Sequence, residues 1–396
     1  MAGKLTLKAQ EHRRIAGGHA WVFSNEIAEV EGADQPGDPV RVFSRKGDLL
    51  GSAYYNPHTL VAARLYARAD KPLDAAFLRA RLTEALLLRR KLYPARQAFR
   101  LVHSEGDSLP GLIVDVYGDV AVVQILTAGM ERVREAILAE LGALLAPRAI
   151  HERSDAAYRA LEGLAPSEGP RFGEEPAPFQ IIESDVRMGV DVTRGQKTGW
   201  FLDQFENRRR LRAMLPPGGR VLDCFCYVGG WALTALAAGA NEAVGIDSSA
   251  WAIEQAEANA ALNGWWERCR WVRGDVLERL HAWADAATGE RFDLIVLDPP
   301  AFAKSKKHLA TAVRAYRTIN EAALRLLNPG GWLATLSCSH HVDPDLFRSI
   351  VAEAGARARR RLRVLTRLEQ PADHPAVPAM PETTYLKGLL LQIEPY

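Results

Sequence analysis

Residues 220–249 read Arg-Val-Leu-Asp-Cys-Phe-Cys-Tyr-Val-Gly-Gly-Trp-Ala-Leu-Thr-Ala-Leu-Ala-Ala-Gly-Ala-Asn-Glu-Ala-Val-Gly-Ile-Asp-Ser-Ser. The pattern is a strand, a tight turn, a helix and a second strand, with an acidic residue closing each strand. Val221 and Leu222 suit a buried parallel strand, and Gly229 and Gly230 permit a sharp turn. Residues 232–238 continue as a helix, with Gly239 as its cap. A βαβ unit of this kind holds a nucleotide-like cofactor. The three-glycine dinucleotide fingerprint is missing: Cys226, Tyr227 and Val228 occupy a turn where a pyrophosphate needs bare backbone, so NAD(H) is not expected to bind. Asp223 would repel a phosphate and attract an ammonium group, and Asp247 stands where a carboxylate accepts both ribose hydroxyls. An adenosine with a cationic amino-acid tail satisfies both acids, and that describes S-adenosylmethionine. The alternative is an ordinary α/β core with incidental acids.

Beyond this unit the alternation continues as a doubly wound α/β sheet. A helix is expected over residues 249–262, a third strand over 269–275 and a fourth over 292–298. A helix over 314–327 and the turn Asn328-Pro-Gly-Gly lead to a fifth strand over 332–338. Ligands in such sheets bind outside the carboxyl ends of the strands. Asp223, Asp247, Asp275, Asp298 and Cys338 all close strands, so all should line one crevice.

Toward the amino terminus, residues 1–70 read as a small β domain: short apolar or alternating runs are separated by Gly17-Gly18, Gly37-Asp38 and Lys46-Gly47-Asp48. A compact barrel is expected. Residues 71–180 read as an α+β module, with an amphipathic helix over 73–92, a hairpin turning at Gly118-Asp119, a helix over 131–145 and a strand from Ile150. The segment 166–178, rich in Pro and Gly, is expected to be a surface loop. The third domain, 181–396, opens with a hairpin over 179–192 and then the polar run Gly195-Gln-Lys-Thr-Gly-Trp-Phe-Leu-Asp-Gln-Phe-Glu-Asn-Arg. Its donors Lys197, Thr198, Gln204 and Arg208 could hold the carboxylate of a methionine tail, or simply open a helix running into Arg209-Arg-Leu-Arg.

At 396 residues the chain exceeds the ~250 at which single cores stop growing. Its 48% hydrophobic and 25% charged residues mark an ordinary globular protein. No apolar run is long enough for a membrane span and the start lacks a secretory signal, so a cytoplasmic location is expected. The four cysteines are too scattered for a disulfide framework, and Cys224-x-Cys226 lacks a second ligand pair, so no metal is expected. Net charge is only +2, yet basic residues cluster at 71–100, 300–320 and 357–367. Such clusters suit a polyanion partner, although each taken alone is also what a solvated helix face looks like.

Asp298-Pro-Pro-Ala-Phe-Ala-Lys-Ser-Lys-Lys places a carboxylate, two rigid prolines, an aromatic and basic residues at one strand end. An Asp-Pro-Pro-aromatic grip serves methyl transfer to flipped nucleic-acid bases. Ser337-Cys338-Ser339-His340-His341 ends the next strand, and its polar flanks favour a nucleophilic thiol over a core cysteine.

Two resemblances follow. His19-Ala-Trp-Val-Phe-Ser-Asn-Glu-Ile, after Gly17-Gly18, resembles the opening of PUA domains, small barrels found in RNA-modifying enzymes. Gly195-Gln-Lys-Thr-Gly with Leu202-Asp-Gln, the Asp223 turn, Asp298-Pro-Pro-Ala-Phe-Ala-Lys, Ser337-Cys-Ser-His-His, Asp373-His-Pro and Tyr385-Leu-Lys together resemble the RlmI-like class I methyltransferases. That resemblance spans the chain, including His103-Ser-Glu-Gly-Asp-Ser-Leu-Pro-Gly-Leu-Ile-Val-Asp; Phe205 departs from it, the family commonly having Arg there. It implies formation of 5-methylcytosine in 23S ribosomal RNA, free or in an assembly intermediate, with a homodimer left open. It further implies an S-adenosylmethionine site at Thr198, Gln204, Arg208, Asp223, Tyr227, Gly229, Asp247, Ser248, Asp275, Val276, Asp298 and Pro299. Cys338 would add to carbon 6 of the base while Asp298 hydrogen-bonds N3. Ala301 replaces the second cysteine of many RNA cytosine-5 methyltransferases, so the base for elimination is unnamed. The competing readings are an exocyclic-amine methyltransferase for adenine or guanine, a small-molecule methyltransferase, and a non-catalytic RNA-binding assembly factor.

Overall fold

The computed structural model describes residues 2–155, 157–285, 289–303 and 305–394. Contacts divide the chain into two units, one of Met1–Ile181, Val190–Leu202 and Ala372–Thr384, the other of Ile182–Gly189, Asp203–Pro371 and Tyr385–Tyr396. The barrel and α+β segments expected as separate domains thus fall within one unit.

In that first unit, a six-stranded sheet runs in the order Trp21–Phe23, Val61–Ala67, Leu49–Tyr55, Asp38–Phe43, Gly3–Leu7, Ile27–Glu31. Alternation in Lys4-Leu5-Thr6-Leu7 buries Leu5 and Leu7 against Val40, Val42 and Leu65. A five-stranded sheet follows: Ser167–Phe172, Ala149–Ser154, Val120–Ile125, Leu112–Tyr117, Ala98–His103. The helix Ala75–Leu92, capped by the Asp74 carboxylate on the Phe77 amide, buries Leu78 and Leu82 in the same core. The 166–178 segment is not all loop: Ser167–Phe172 forms the edge strand, antiparallel to Ala149–Ser154. An edge tolerates Pro170, and Arg171 bridges to the buried Glu152. Much of the basic cluster at 71–100 is likewise internal. Arg89 pairs with Asp107, Arg96 with Asp373 and Arg100 with Asp115, all largely buried, and Arg79 pairs with Glu140. Arg90 and Lys91 remain exposed.

The second unit holds a seven-stranded sheet. Its strands are β1 (Arg220–Cys224), β2 (Glu242–Asp247), β3 (Cys269–Arg273), β4 (Phe292–Leu297), β5 (Leu327–Ser337), β6 (Leu362–Glu369) and β7 (Lys387–Ile393), in the order β3-β2-β1-β4-β5-β7-β6. The first five are parallel; β7 runs antiparallel between β5 and β6. The helices are α1 (Phe205–Met214), α2 (Gly230–Ala237), α3 (Ala250–Leu262), α4 (Val276–Asp285), α5 (Leu309–Leu326) and α6 (Pro344–Arg357). Ser249 caps α3 and Asp343 caps α6 through their side chains. Leu222, Val244, Ile295, Leu297 and Leu333 form the sheet side of a core that Tyr316, Ile319, Phe347 and Ile350 cover. Asn328-Pro-Gly-Gly, expected as a turn, lies inside β5, where a register shift against β4 absorbs it. Among the described residues, no helix is long and apolar enough to cross a membrane.

Candidate active site

Parallel order brings the carboxyl ends of β1 to β5 to one edge. Asp223 lies in the last turn of β1, Asp247 ends β2, Asp298 follows β4 and Cys338 follows β5. The strand order runs outward from β1 to β2 and β3 on one side and to β4 and β5 on the other, and this switch point above β1 is where such sheets bind ligands.

The turn from β1 into α2 is unusual in its backbone. Phe225 and Tyr227 adopt φ of +61° and +50°, and Gly229, at the N-cap of α2, adopts +87°. Left-handed aromatic residues are costly and persist where surroundings over-determine them. Here the Cys226 amide bonds the Ile246 carbonyl, and the Tyr227 amide donates to Asp247 Oδ2 at 2.9 Å. A Cβ at Gly229 would lie 2.7 Å from the Trp271 indole, and one at Gly245 would lie 2.3 Å from it. The two glycines therefore make room for Trp271 of β3 under the turn. Cys224 and Cys226 are buried beside this turn, and burial pushes both thiols well above their usual range.

Asp223 is fully buried. One oxygen accepts the Ala232 amide at 2.9 Å, while the other has no partner among the described residues. Burial pushes its carboxyl up to about 8; the charges of Asp298 and Asp247 act in the same sense, and Arg208 against it. A buried oxygen without a donor is expensive, and the ammonium of an amino-acid tail supplies the missing donor and charge. Asp247 already takes two backbone amides, from Tyr227 and Ser249, which fix the carboxylate plane while each oxygen retains a lone pair for a ribose hydroxyl. The residues present thus fit S-adenosylmethionine.

A pH dependence follows from Asp223. Below its raised value the carboxyl is protonated, and a bound cation requires the carboxylate, so binding must expel a proton. Cofactor affinity is expected to rise from about pH 6 toward 8, by up to about tenfold per pH unit. Calorimetry in two buffers of different ionisation enthalpy reads the released proton, and Asp223→Asn should flatten the profile. Equal proton release by wild type and variant would rule this out. Asp247→Ala is expected to weaken cofactor binding by about 1.5 to 3 kcal/mol, the scale of charge-assisted hydrogen bonds; unchanged calorimetric affinity would remove Asp247 from the site.

The other expected cofactor residues divide. Asp275 caps α4, its Oδ1 accepting the Glu278 amide, and Val276 packs its side chain into the core, so any contact from Val276 would be through its backbone. Ser248 is exposed beside Asp247, and Pro299 is buried beside Asp298. Arg208 is buried with Nε donating to Glu183 at 2.6 Å. Gln204, expected as a donor to the methionine carboxylate, instead donates its amide to both oxygens of Asp298, at 3.0 and 2.9 Å; its own carbonyl accepts from Asn207. Thr198 belongs to the first unit, where its buried hydroxyl donates to Asp115 at 2.6 Å and meets the Tyr117 hydroxyl at 2.9 Å. Its single proton is engaged there. Lys197, in that unit too, lies over the Phe201 ring.

Asp298 is the most heavily oriented group at the edge. Besides Gln204, the Trp231 indole donates to Oδ2 at 3.0 Å. On the neighbouring strand the Cys338 thiol points at the Pro299 carbonyl, 3.8 Å away. The Ala303 amide donates to Ser339 Oγ at 3.2 Å, tying the loop after β4 to the loop after β5. Tyr316 of α5 bridges Ser337 and Ser339 through its hydroxyl, at 2.9 and 3.0 Å. Phe302 packs at a tilt against Tyr316 and meets Phe225 edge-on. Cys338 itself is partly exposed, unlike both neighbours. Trp231, Trp271 and Tyr316 carried no sequence signal: nothing in their spacing distinguishes them from core aromatics. Of the basic run after Asp298-Pro-Pro, Lys304 and the side chain of Lys306 lie outside the described residues.

A family model for S-adenosylmethionine-dependent methyltransferases matches residues 164–392, and one for PUA-like domains matches residues 5–68. The ribosomal RNA large subunit methyltransferase I of Shewanella denitrificans is 40% identical over 399 residues, spanning 99% of this chain and 100% of that protein. Its counterpart from Vibrio cholerae is 39% identical over 381 residues, 95% of each chain. A Streptococcus mutans protein described as a SAM-dependent methyltransferase aligns in structure with a TM-score of 0.85 at 19% identity, over 99% of this chain and 100% of that one. Another, described as a methyltransferase and solved in complex with SAH, gives 0.86 at 20% identity over the same shares. At these identities the solved structures speak to the fold.

Proposed function

Because the chain belongs to the ribosomal RNA large subunit methyltransferase I family of S-adenosylmethionine-dependent methyltransferases, we propose that it methylates carbon 5 of a cytosine in 23S ribosomal RNA, in the cytoplasm, through a covalent Cys338 adduct. The observation that carries this reading is the meeting of Cys338 and Asp298 on adjacent strand ends, the thiol directed at the carbonyl next to Asp298. An enzyme acting on an exocyclic amine has use for Asp298 and the prolines but none for a thiol at that place.

S-adenosylmethionine supplies an electrophilic methyl group. Asp223 would hold its ammonium, Asp247 its ribose, and Gly229 and Tyr227 the backbone beside them. Carbon 5 of cytosine is a poor nucleophile, so the chain must activate it. The Cys338 thiolate adds to carbon 6, forming the S–C6 bond as Asp298 hydrogen-bonds N3 and assists its protonation; carbon 5 then has enamine character and accepts the methyl group. A base then takes the carbon 5 proton, the electron pair re-forms the C5–C6 double bond as the S–C6 bond breaks and frees the thiolate, and N3 gives its proton back to Asp298. Gln204 and Trp231 keep Asp298 in one orientation throughout.

The amino-terminal PUA-like segment, the exposed Arg90 and Lys91 and the Lys307 region supply phosphate contacts in this reading. RNA affinity should therefore fall steeply with salt, as counterion release requires; binding insensitive to salt would count against those contacts. The decisive experiment maps methylated cytosines by mass in 23S RNA from cells with and without the gene. Loss of one 5-methylcytosine, restored by wild type, is expected; loss of a methylated adenine or guanine instead would establish the amine reading.

A further inference from the structure

Cys338 must be a thiolate at neutral pH to attack carbon 6, and a free cysteine titrates near 8.5. The adjacent strand β7, however, begins with a buried lysine. Lys387 pairs in register with Ser337, the residue before Cys338, and its Nζ donates to the carbonyl of Ser339, the residue after, at 2.6 Å. The amine is thus tied to the backbone just after the thiol, on a strand held in register with the residue just before it.

We infer that Lys387 is the positioning residue that holds Cys338 as a thiolate, as a buried ammonium placed beside the sulfur. The inference rests on the reading of Cys338 as nucleophile. The thiol proton leaves to solvent, the electron pair stays on Sγ, and the partly exposed thiolate forms an ion pair with the buried ammonium. After methyl transfer the same ammonium stabilises the departing thiolate, so it assists both the first and the last step. Burial pushes Lys387 down to about 8, while charge on Cys338 and on Asp343, the cap of α6, pulls it back up, which is the reciprocal of the effect inferred for the thiol. Among the described residues, the other titratable groups around this pair include Asp298, next to the Pro299 carbonyl that the thiol meets, whose charge opposes a thiolate; His340, whose protonation is opposed by burial and then by Lys387 and His341; Tyr316, whose hydroxyl is held up by burial with Cys338 charge adding to it; and Glu369, the cross-strand partner of Lys387 on β6. Glu369 is exposed, so solvent screens it.

The remaining thiols leave the titration clean. Cys224 and Cys226 are pushed well above their usual range and Cys269 to about 11, all by burial. The experiment follows alkylation of Cys338 by iodoacetamide against pH in the full chain, read by mass spectrometry of its peptide, for wild type, Lys387→Met and Lys387→Arg. The expected midpoint in wild type lies at least about one unit below 8.5. Lys387→Met should raise it, slowing alkylation at neutral pH roughly tenfold, and Lys387→Arg should restore most of the shift because it keeps the charge. A purely structural lysine would leave the midpoint where it is. Thiolate absorbance of wild type minus Cys338→Ser gives the same midpoint without any lysine variant, and a value at or above 8.5 overturns the inference even if Lys387→Met does not fold. Adduct formation with RNA containing 5-fluorocytosine is scored separately. An adduct with an unshifted midpoint sinks the role of Lys387 alone, while a lowered midpoint with no adduct sinks the nucleophile reading alone.

Discussion

Cys338→Ala is expected to abolish methyl transfer, by on the order of 10⁴-fold or more, while cofactor affinity stays within a factor of a few of wild type. The size follows from the place proposed for the thiol in the reaction: without it carbon 5 would not gain enamine character, and a nucleophile that acts as a unit with its partners is not replaced by any one of them. Cofactor binding is spared because the residues that would hold the ammonium and ribose stand on β1 and β2, whereas Cys338 follows β5 on the far side of β4. RNA carrying 5-fluorocytosine should trap the wild-type enzyme covalently, since fluorine at carbon 5 blocks the elimination that frees the sulfur. Substituting Cys224, Cys226 or Cys269 should leave the adduct intact, as burial holds all three thiols above their usual range. Near-normal methylation by Cys338→Ala would end the carbon 5 mechanism and leave amine methylation in its place.

Asp298→Asn carries the second large effect, an expected fall in kcat of about 10²- to 10⁴-fold, the range of a lost acid-base group. The geometry says which way the amide will sit. Trp231 and Gln204 both donate to Oδ2, so the carbonyl oxygen of asparagine is held there, while its NH₂ takes the place of Oδ1 and gives up the second Gln204 contact. The side chain therefore keeps two of its three hydrogen bonds and loses the ability proposed for it, to carry a proton to N3. Single-turnover kinetics should show a slowed chemical step with RNA affinity nearly unchanged. Gln204→Met and Trp231→Phe, each of which removes one donor to Asp298, should cost less than Asp298→Asn, and neither should add fully to it. An Asp298→Asn enzyme within about threefold of wild type would remove Asp298 from proton transfer.

The sequence by itself determined the strand ends. Each parallel strand is a short apolar run closed by a polar residue, a local pattern that needs no tertiary information, and it placed Asp223, Asp247, Asp298 and Cys338 along one edge. Ser167–Phe172 was not legible in the sequence, because an edge strand buries so little that its polar, proline-bearing sequence looks like a loop until Glu152 meets Arg171. What only the tertiary structure decided is the use made of each polar atom at the edge. Gln204 and Trp231 reach Asp298 across 94 and 67 residues of chain, Trp271 lies under a turn cleared by two distant glycines, and Lys387 arrives beside Cys338 only because β7 inserts antiparallel next to β5. Hydrophobic periodicity records which face of an element is buried, whereas a hydrogen bond depends on the position and direction of two groups that no local pattern relates. The sheet has to close before an amide finds a carboxylate or an ammonium a thiol.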